Sequence, residues 1–220
     1  MLEENPEDEY IRRSVIEVHK KLGGDAMGST AGAGGGTEET AASGSSQRAA
    51  DQYREILKLN PDDFDAQYQI AQAFMNEKRF DEAIAELGKL HDKHPKNVEV
   101  LNLLGWACLN SGQHDRAFKT WQKSLQIDNK NTATRDNIIR ARLEVGKRLR
   151  EQNIHMKAIV HFKELLKFLP KSPEVHYEIG MTYLSKGDKR SALNAFNKVL
   201  QLDSKNKNAR KAISELRLRD

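Results

Sequence analysis

The feature that most constrains this chain is a recurrence. Small residues return at Ala49, Ala83, Ala117, Ala158 and Ala192, in steps of 34, 34, 41 and 34. Ala71, Gly105, Gly146 and Gly180 follow the same rhythm, and so do the bulky residues Tyr53, Leu87, Trp121, Phe162 and Phe196. One unit of 34 residues is therefore repeated, with seven residues added once. Alanine and the bulky residue four positions on share a helical face. A glycine or alanine earlier in the unit lets a second helix approach closely. Asn60-Pro61-Asp62-Asp63 ends one helix and caps the next, and Gly112-Gln113 and Gly187-Asp188 supply tight turns inside a unit. The chain is thus all-α, built of helix-turn-helix pairs. A single pair cannot bury its apolar face alone, so neighbours must stack.

This pattern resembles the tetratricopeptide repeat (TPR) family, in which small, alanine, bulky and proline residues take the eighth, twentieth, twenty-fourth and thirty-second places. Pro61, Pro95 and Pro170 match the proline place, whereas Asn129 and Ser204 replace it. The resemblance implies a right-handed α-solenoid over 48–220. Its parts are a half-unit 48–63, repeats 64–97, 98–131, 139–172 and 173–206, and a C-terminal capping helix 205–219. The cap's apolar stripe is Ala209, Ala212, Ile213 and Leu216. The added residues 132–138 are expected to lengthen the first helix of the repeat 139–172, since no Gly or Pro interrupts 131–145. Seven residues add about 10 Å and nearly two whole turns, so the apolar face is kept.

Ahead of the solenoid, residues 1–22 read as an amphipathic N-terminal helix with Tyr10, Ile11, Val15, Val18 and Leu22 at helical spacing. Residues 23–47, rich in Gly, Ser, Ala and Thr, read as a flexible linker. Three readings of the helix stay open. It is the missing first helix of the half-unit 48–63, separated by a long insertion. It is a tethered ligand, natural or fused, docking in its own or a neighbouring groove. Or it is a free arm. A flexible linker of about 25 residues reaches roughly 25–30 Å, enough for docking at about millimolar effective concentration.

Chemistry of other kinds is poorly supported. No apolar run is long enough to span a bilayer, and the acidic start is not a secretory signal. A single cysteine, Cys108, excludes an internal disulfide and fits a reducing, cytoplasmic setting. It stands at a core place of its repeat, which makes it an inert residue rather than a nucleophile. His91 and His94 are surface histidines without a ligand set, and AGAGGG at 31–36 lacks the strand and the Lys-Ser/Thr of a phosphate loop. The chain is read as no enzyme, with no metal and no cofactor.

The family resemblance implies that the first helix of each repeat lines a concave groove, contacting ligands from its fifth, ninth and twelfth places. These are Tyr68, Gln72 and Met75; Asn102, Trp106 and Leu109; Leu143, Lys147 and Arg150; and Tyr177, Met181 and Leu184. Their aromatic and methionine content suits an amphipathic helix or an extended apolar peptide of a partner protein, with Lys147 and Arg150 favouring an acidic flank. The carboxylate clamp known in this family is not present: Tyr68, Gln72, Leu103 and Glu144 stand where it needs Lys, Asn, Asn and Arg, and only Arg140 is acceptable. The expected function is a protein-interaction scaffold or adaptor, with self-association through the N-terminal helix as a further partner reading. The alternative is a nucleic-acid-associated protein using the basic helix 131–151, where Arg135, Arg140, Arg142, Lys147, Arg148 and Arg150 crowd together.

Overall fold

The computed structural model describes residues 6–28 and 38–218. Among them are eleven α-helices and no strand. They fall into two compact units, Met1–Lys130 and Asn131–Asp220. The first contains α1 (Pro6–Gly28), α2 (Glu38–Leu59), α3 (Phe64–Asn76), α4 (Phe80–Lys93), α5 (Val98–Asn110) and α6 (His114–Ile127). The second contains α7 (Thr132–Glu151), α8 (His155–Leu165), α9 (Pro173–Ser185), α10 (Lys189–Leu202) and α11 (Lys207–Leu218). Within each unit consecutive helices pair as hairpins, and each hairpin packs on the next, as in an α-solenoid.

Caps and turns set this order locally. The residue at the last place of each unit caps the helix that follows: Asp63, Asn97, Asn131, Ser172 and Asn206 accept from the backbone N–H three residues on, at 2.8–3.3 Å. Asn131 keeps this place, so α7 starts on schedule and absorbs the seven added residues within one long helix, as expected. The fifteenth place of each unit turns the chain with positive φ: Lys78 (59°), Gly112 (82°), Asn153 (60°) and Gly187 (84°). Glycine enters that conformation without steric cost, which explains the two turn glycines.

The core of each hairpin is the small residue covered by the bulky one. A Cβ placed on Gly105 would lie 2.3 Å from Trp121 Nε1, on Gly146 2.6 Å from the Phe162 ring, and on Gly180 2.6 Å from the Phe196 ring. Where the bulky residue is Leu87, the small one is Ala71, and both are fully buried. Glycine goes with an aromatic ring and alanine with leucine, so the smaller residue stands where the covering side chain is larger.

The amino-terminal expectation is corrected in one respect and decided in another. The segment expected as a linker, 23–47, is helical over 23–28 and 38–47; residues 29–37 lie outside the described residues. Nor does α1 lie in a groove as a ligand: it is seated on α2 as the first helix of that hairpin. A Cβ on Gly23 would lie 2.8 Å from the Tyr53 ring, the same small-to-aromatic contact as in the repeats. His19 Nδ1 lies 2.7 Å from Gln52 Oε1, and Lys20 reaches Asp63 and Asp65 at 3.3 and 3.2 Å. Val15, Val18 and Leu22 are exposed on this helix, while the side chains of Tyr10 and Ile11 lie outside the described residues. The physical reason is Gly23 itself, whose bare backbone admits the tyrosine ring.

Several surface carboxyls are held below the usual carboxylate range. Asp62 is lowered by its bond to Lys93 Nζ, Glu82 by a backbone N–H at the start of α4 and then by Arg79, and Asp188 by the Ser191 N–H at the start of α10. Groups whose folded pKa is depressed stabilise the fold above the unfolded pKa and lose that contribution as pH falls through the folded value. We therefore expect urea midpoints to be flat near neutrality and to decline from about pH 5 towards pH 3. A midpoint that rose over that interval would contradict the assignment.

Candidate peptide-binding faces

The first helices of the repeats place the expected contact residues at i, i+4 and i+7, each trio on one face. In the first unit, Tyr68, Gln72 and Met75 on α3 and Asn102 and Trp106 on α5 are half-buried. Leu109 is only 8% exposed and belongs to the core, a correction to its reading as a groove residue. It is one of the buried residues of α5, with Leu101, Leu104 and Cys108. The Tyr68 ring stacks on Phe64 at 5.9 Å, and Phe64 meets the His94 ring edge-on at 5.1 Å. Burial pushes the Tyr68 phenol up, and the nearby Glu99 carboxylate acts in the same sense.

Trp106 has an aromatic floor. Its ring meets Trp121 edge-on at 5.3 Å, and Trp121 is fully buried, also touches Phe118 at 5.9 Å, and donates from Nε1 to the Asn102 carbonyl at 3.2 Å. A half-buried indole therefore rests on a fixed indole floor, which limits its rotamers before any ligand arrives.

The second unit repeats the device with different chemistry. Tyr177 packs on the buried Phe196 at 5.5 Å, and Met181 and Leu184 lie partly buried against the same cluster. Leu143 packs on the cluster that holds Phe162 and Ile179. Lys147 and Arg150 are not free to favour an acidic ligand flank. Arg150 Nη1 is bonded to Glu178 Oε2, and Lys147 Nζ lies 3.4 Å from Glu178 Oε1 and 4.0 Å from Glu174. Glu178, 8% exposed on α9, thus gathers both Lys147 and Arg150. Sequence reading missed it because an acid at the sixth place has no role in the repeat pattern. Its signal was its position beside two cations one repeat earlier.

The same accounting bears on the basic helix. Arg142 pairs with Glu164 at 3.9 Å and Arg148 with Glu144 at 2.6 Å, so with Lys147 and Arg150 four of the six cations named on α7 have carboxylate partners. Such a surface offers little uncompensated charge to phosphates.

Cys108 is fully buried, and burial pushes its thiol up, which makes it unreactive in the folded chain. His94 is exposed with its ring against Phe64, and among the described residues no group of three or more His, Cys, Asp or Glu side chains could hold a metal ion. No described helix is long and apolar enough to cross a membrane.

Comparison with known proteins agrees with this architecture. Tetratricopeptide repeat family models match residues 41–105, 75–133 and 173–206, more than half of the chain. Anaphase-promoting complex subunit 3 of Schizosaccharomyces pombe is 21% identical over 159 residues, which is 72% of this chain. The match spans only 23% of that relative's length. Among solved structures, a crystal structure of MamA superposes with a TM-score of 0.57 at 18% identity, covering 87% of this chain and 93% of MamA. A MamA RS-1 double mutant gives 0.55 at 16% identity, covering 88% and 97%. At these identities the structural likeness concerns the fold.

Proposed function

Because the chain belongs to the tetratricopeptide repeat family, a family of protein-interaction modules, we propose that it is a non-enzymatic cytoplasmic adaptor whose first-helix faces take an apolar segment, helical or extended, of a partner protein. The observation that carries this reading is the pairing of two half-exposed aromatics with a buried aromatic beneath: Trp106 on Trp121 and Tyr177 on Phe196. Such anchors bury large area at small entropic cost. With Lys147 and Arg150 tied to Glu178, recognition rests on apolar contact rather than on an acidic flank.

Selection of a displayed peptide library on the full chain supplies the probe. The selected peptide should carry aromatic or aliphatic anchors, and Trp106→Ala or Tyr177→Ala should weaken it at least about tenfold, or about 1.4 kcal/mol. Raising salt tenfold should change the affinity less than about threefold. Unchanged affinity in both variants would remove the groove reading. A steep loss with salt, for a nucleic-acid probe that binds more tightly than any peptide, would replace it with the alternative.

A further inference from the structure

The second helices of the repeats can be compared place by place, and α8 differs from the rest. Two residues before the repeat alanine stand Asp81, Asp115 and Arg190 on α4, α6 and α10, and two residues after it Ala85, Lys119 and Asn194. All six are exposed. The fold keeps these places in water, so stacking of the repeats requires nothing apolar there. On α8 the same places hold Met156 and Val160, 58% and 56% exposed. They are one turn apart and lie on one helical face. Ile154, also exposed, caps the start of α8 where Arg79, Gln113 and Asp188 stand in the other repeats.

Positive charge surrounds this apolar pair. Lys163 lies on the same face, one turn beyond Val160, and Lys157 follows Met156; both lysines are exposed. Residues 154–171 carry Lys157, Lys163, Lys167 and Lys171 against Glu164 alone. That carboxylate is already held by Lys167 at 2.8 Å and by Arg142 at 3.9 Å. Among the described residues no carboxylate pairs with Lys157 or Lys163. One repeat on, Arg190 is exposed at the place of Met156, on a helix that joins the α8 core cluster through Ala195. An apolar patch rimmed by charge of one sign marks an interaction surface and specifies the sign of what it meets.

We propose that the exposed face of α8 is a docking surface, separate from the first-helix faces, for an acidic amphipathic helix of a partner protein. A helix brings two apolar residues and an acid to one side at the turn spacing of Met156, Val160 and Lys163. A second copy supplies the wrong sign. Its α1 exposes Val15, Val18 and Leu22, but over residues 12–22 the cations Arg12, Arg13, Lys20 and Lys21 stand against Glu17 alone. A bilayer is the poorer occupant too, because Phe162, the ring an interfacial helix would insert, is buried in the core.

The test uses the full chain and a fluorescent, alanine-rich helical peptide with two leucines four residues apart and a glutamate one turn outside each. A second peptide has lysines in place of the glutamates. The first should bind saturably below about millimolar, and the second at least about tenfold more weakly. Met156→Ser combined with Val160→Ser should weaken the first peptide at least about tenfold, and Lys163→Glu should shift the preference towards the lysine peptide. All three positions are exposed, and unchanged thermal unfolding confirms that the variants fold. Trp106→Ala should leave this binding untouched, which separates the α8 face from the proposed groove. Equal binding of the two peptides, indifference to the serine substitutions, or no saturation at millimolar peptide would overturn the proposal. Tighter binding to phosphatidylserine vesicles than to the peptide, lost with the same serines, would overturn it in favour of a membrane surface. Self-association of the chain that those serines abolish would overturn it in favour of a second copy.

Discussion

Gly105→Ala should lower the stability of the chain by about 2–3 kcal/mol, although it replaces a poor helix former by the best. The added Cβ would sit 2.3 Å from Nε1 of Trp121. That indole cannot yield: it is fully buried, its Nε1 bonds the Asn102 carbonyl at 3.2 Å, and Trp106 and Phe118 hold it at 5.3 and 5.9 Å. Helix propensity would favour the variant by about 1 kcal/mol, so overpacking must win for the sign to come out as stated. The chain contains its own rescue in the Ala71–Leu87 pair. Trp121→Leu should be destabilising alone, through lost area and a lost hydrogen bond. In its presence, however, Gly105→Ala should cost little or nothing. A urea double-mutant cycle should therefore show coupling of at least about 1.5 kcal/mol. Additivity within about 0.5 kcal/mol would mean that the two positions do not set the helix separation.

The second large effect belongs to Glu178. Its carboxylate, in a side chain 11% exposed, is shared by Arg150 and Lys147, whose side chains are 19% and 39% exposed. Glu178→Ala deprives two neighbouring cations of α7 of their shared carboxylate on α9, leaving Lys147 only Glu174 at 4.0 Å, with Arg150 mostly shielded from water. The expected cost is about 2–3 kcal/mol, below the figure for a fully buried pair because Lys147 can turn towards solvent. Glu144→Ala, which removes the exposed partner of Arg148, should cost less than about 0.5 kcal/mol. The comparison controls for simple loss of negative charge from this basic chain. If the two variants unfold at the same denaturant concentration, the Glu178 cluster is a surface pair with no structural role. A methionine at 178 is the informative third variant, since an apolar residue there leaves the cations unpaired and should not rescue.

Much of this was legible in the residues. The three recurrent series gave the hairpins, the stacking and the lengthened α7, because small-to-bulky contacts and caps are local demands that return with each unit. The fifth, ninth and twelfth places were also legible as one face, since helical periodicity alone puts them there. Their individual environments were not. Leu109 went to the core and Lys147 and Arg150 to Glu178, because those outcomes depend on which neighbour the next helix presents. The place of α1 was undecided for a similar reason. Gly23 and Tyr53 stand thirty residues apart, against sixteen in every regular repeat, so the counting that revealed the others passed over them.

By itself, then, the sequence determined the period, the helix pairs, the cap within Asn60–Asp63 and the turns at Gly112 and Gly187. These are short-range requirements of backbone geometry and hydrogen bonding, fixed within a few residues. Only the tertiary structure decided that α1 is the first helix of its hairpin, that Glu178 gathers Lys147 and Arg150 of α7, and that Leu109 is part of the core. Each of these depends on burial and charge compensation between helices distant in sequence, and those energies exist only once the helices are packed.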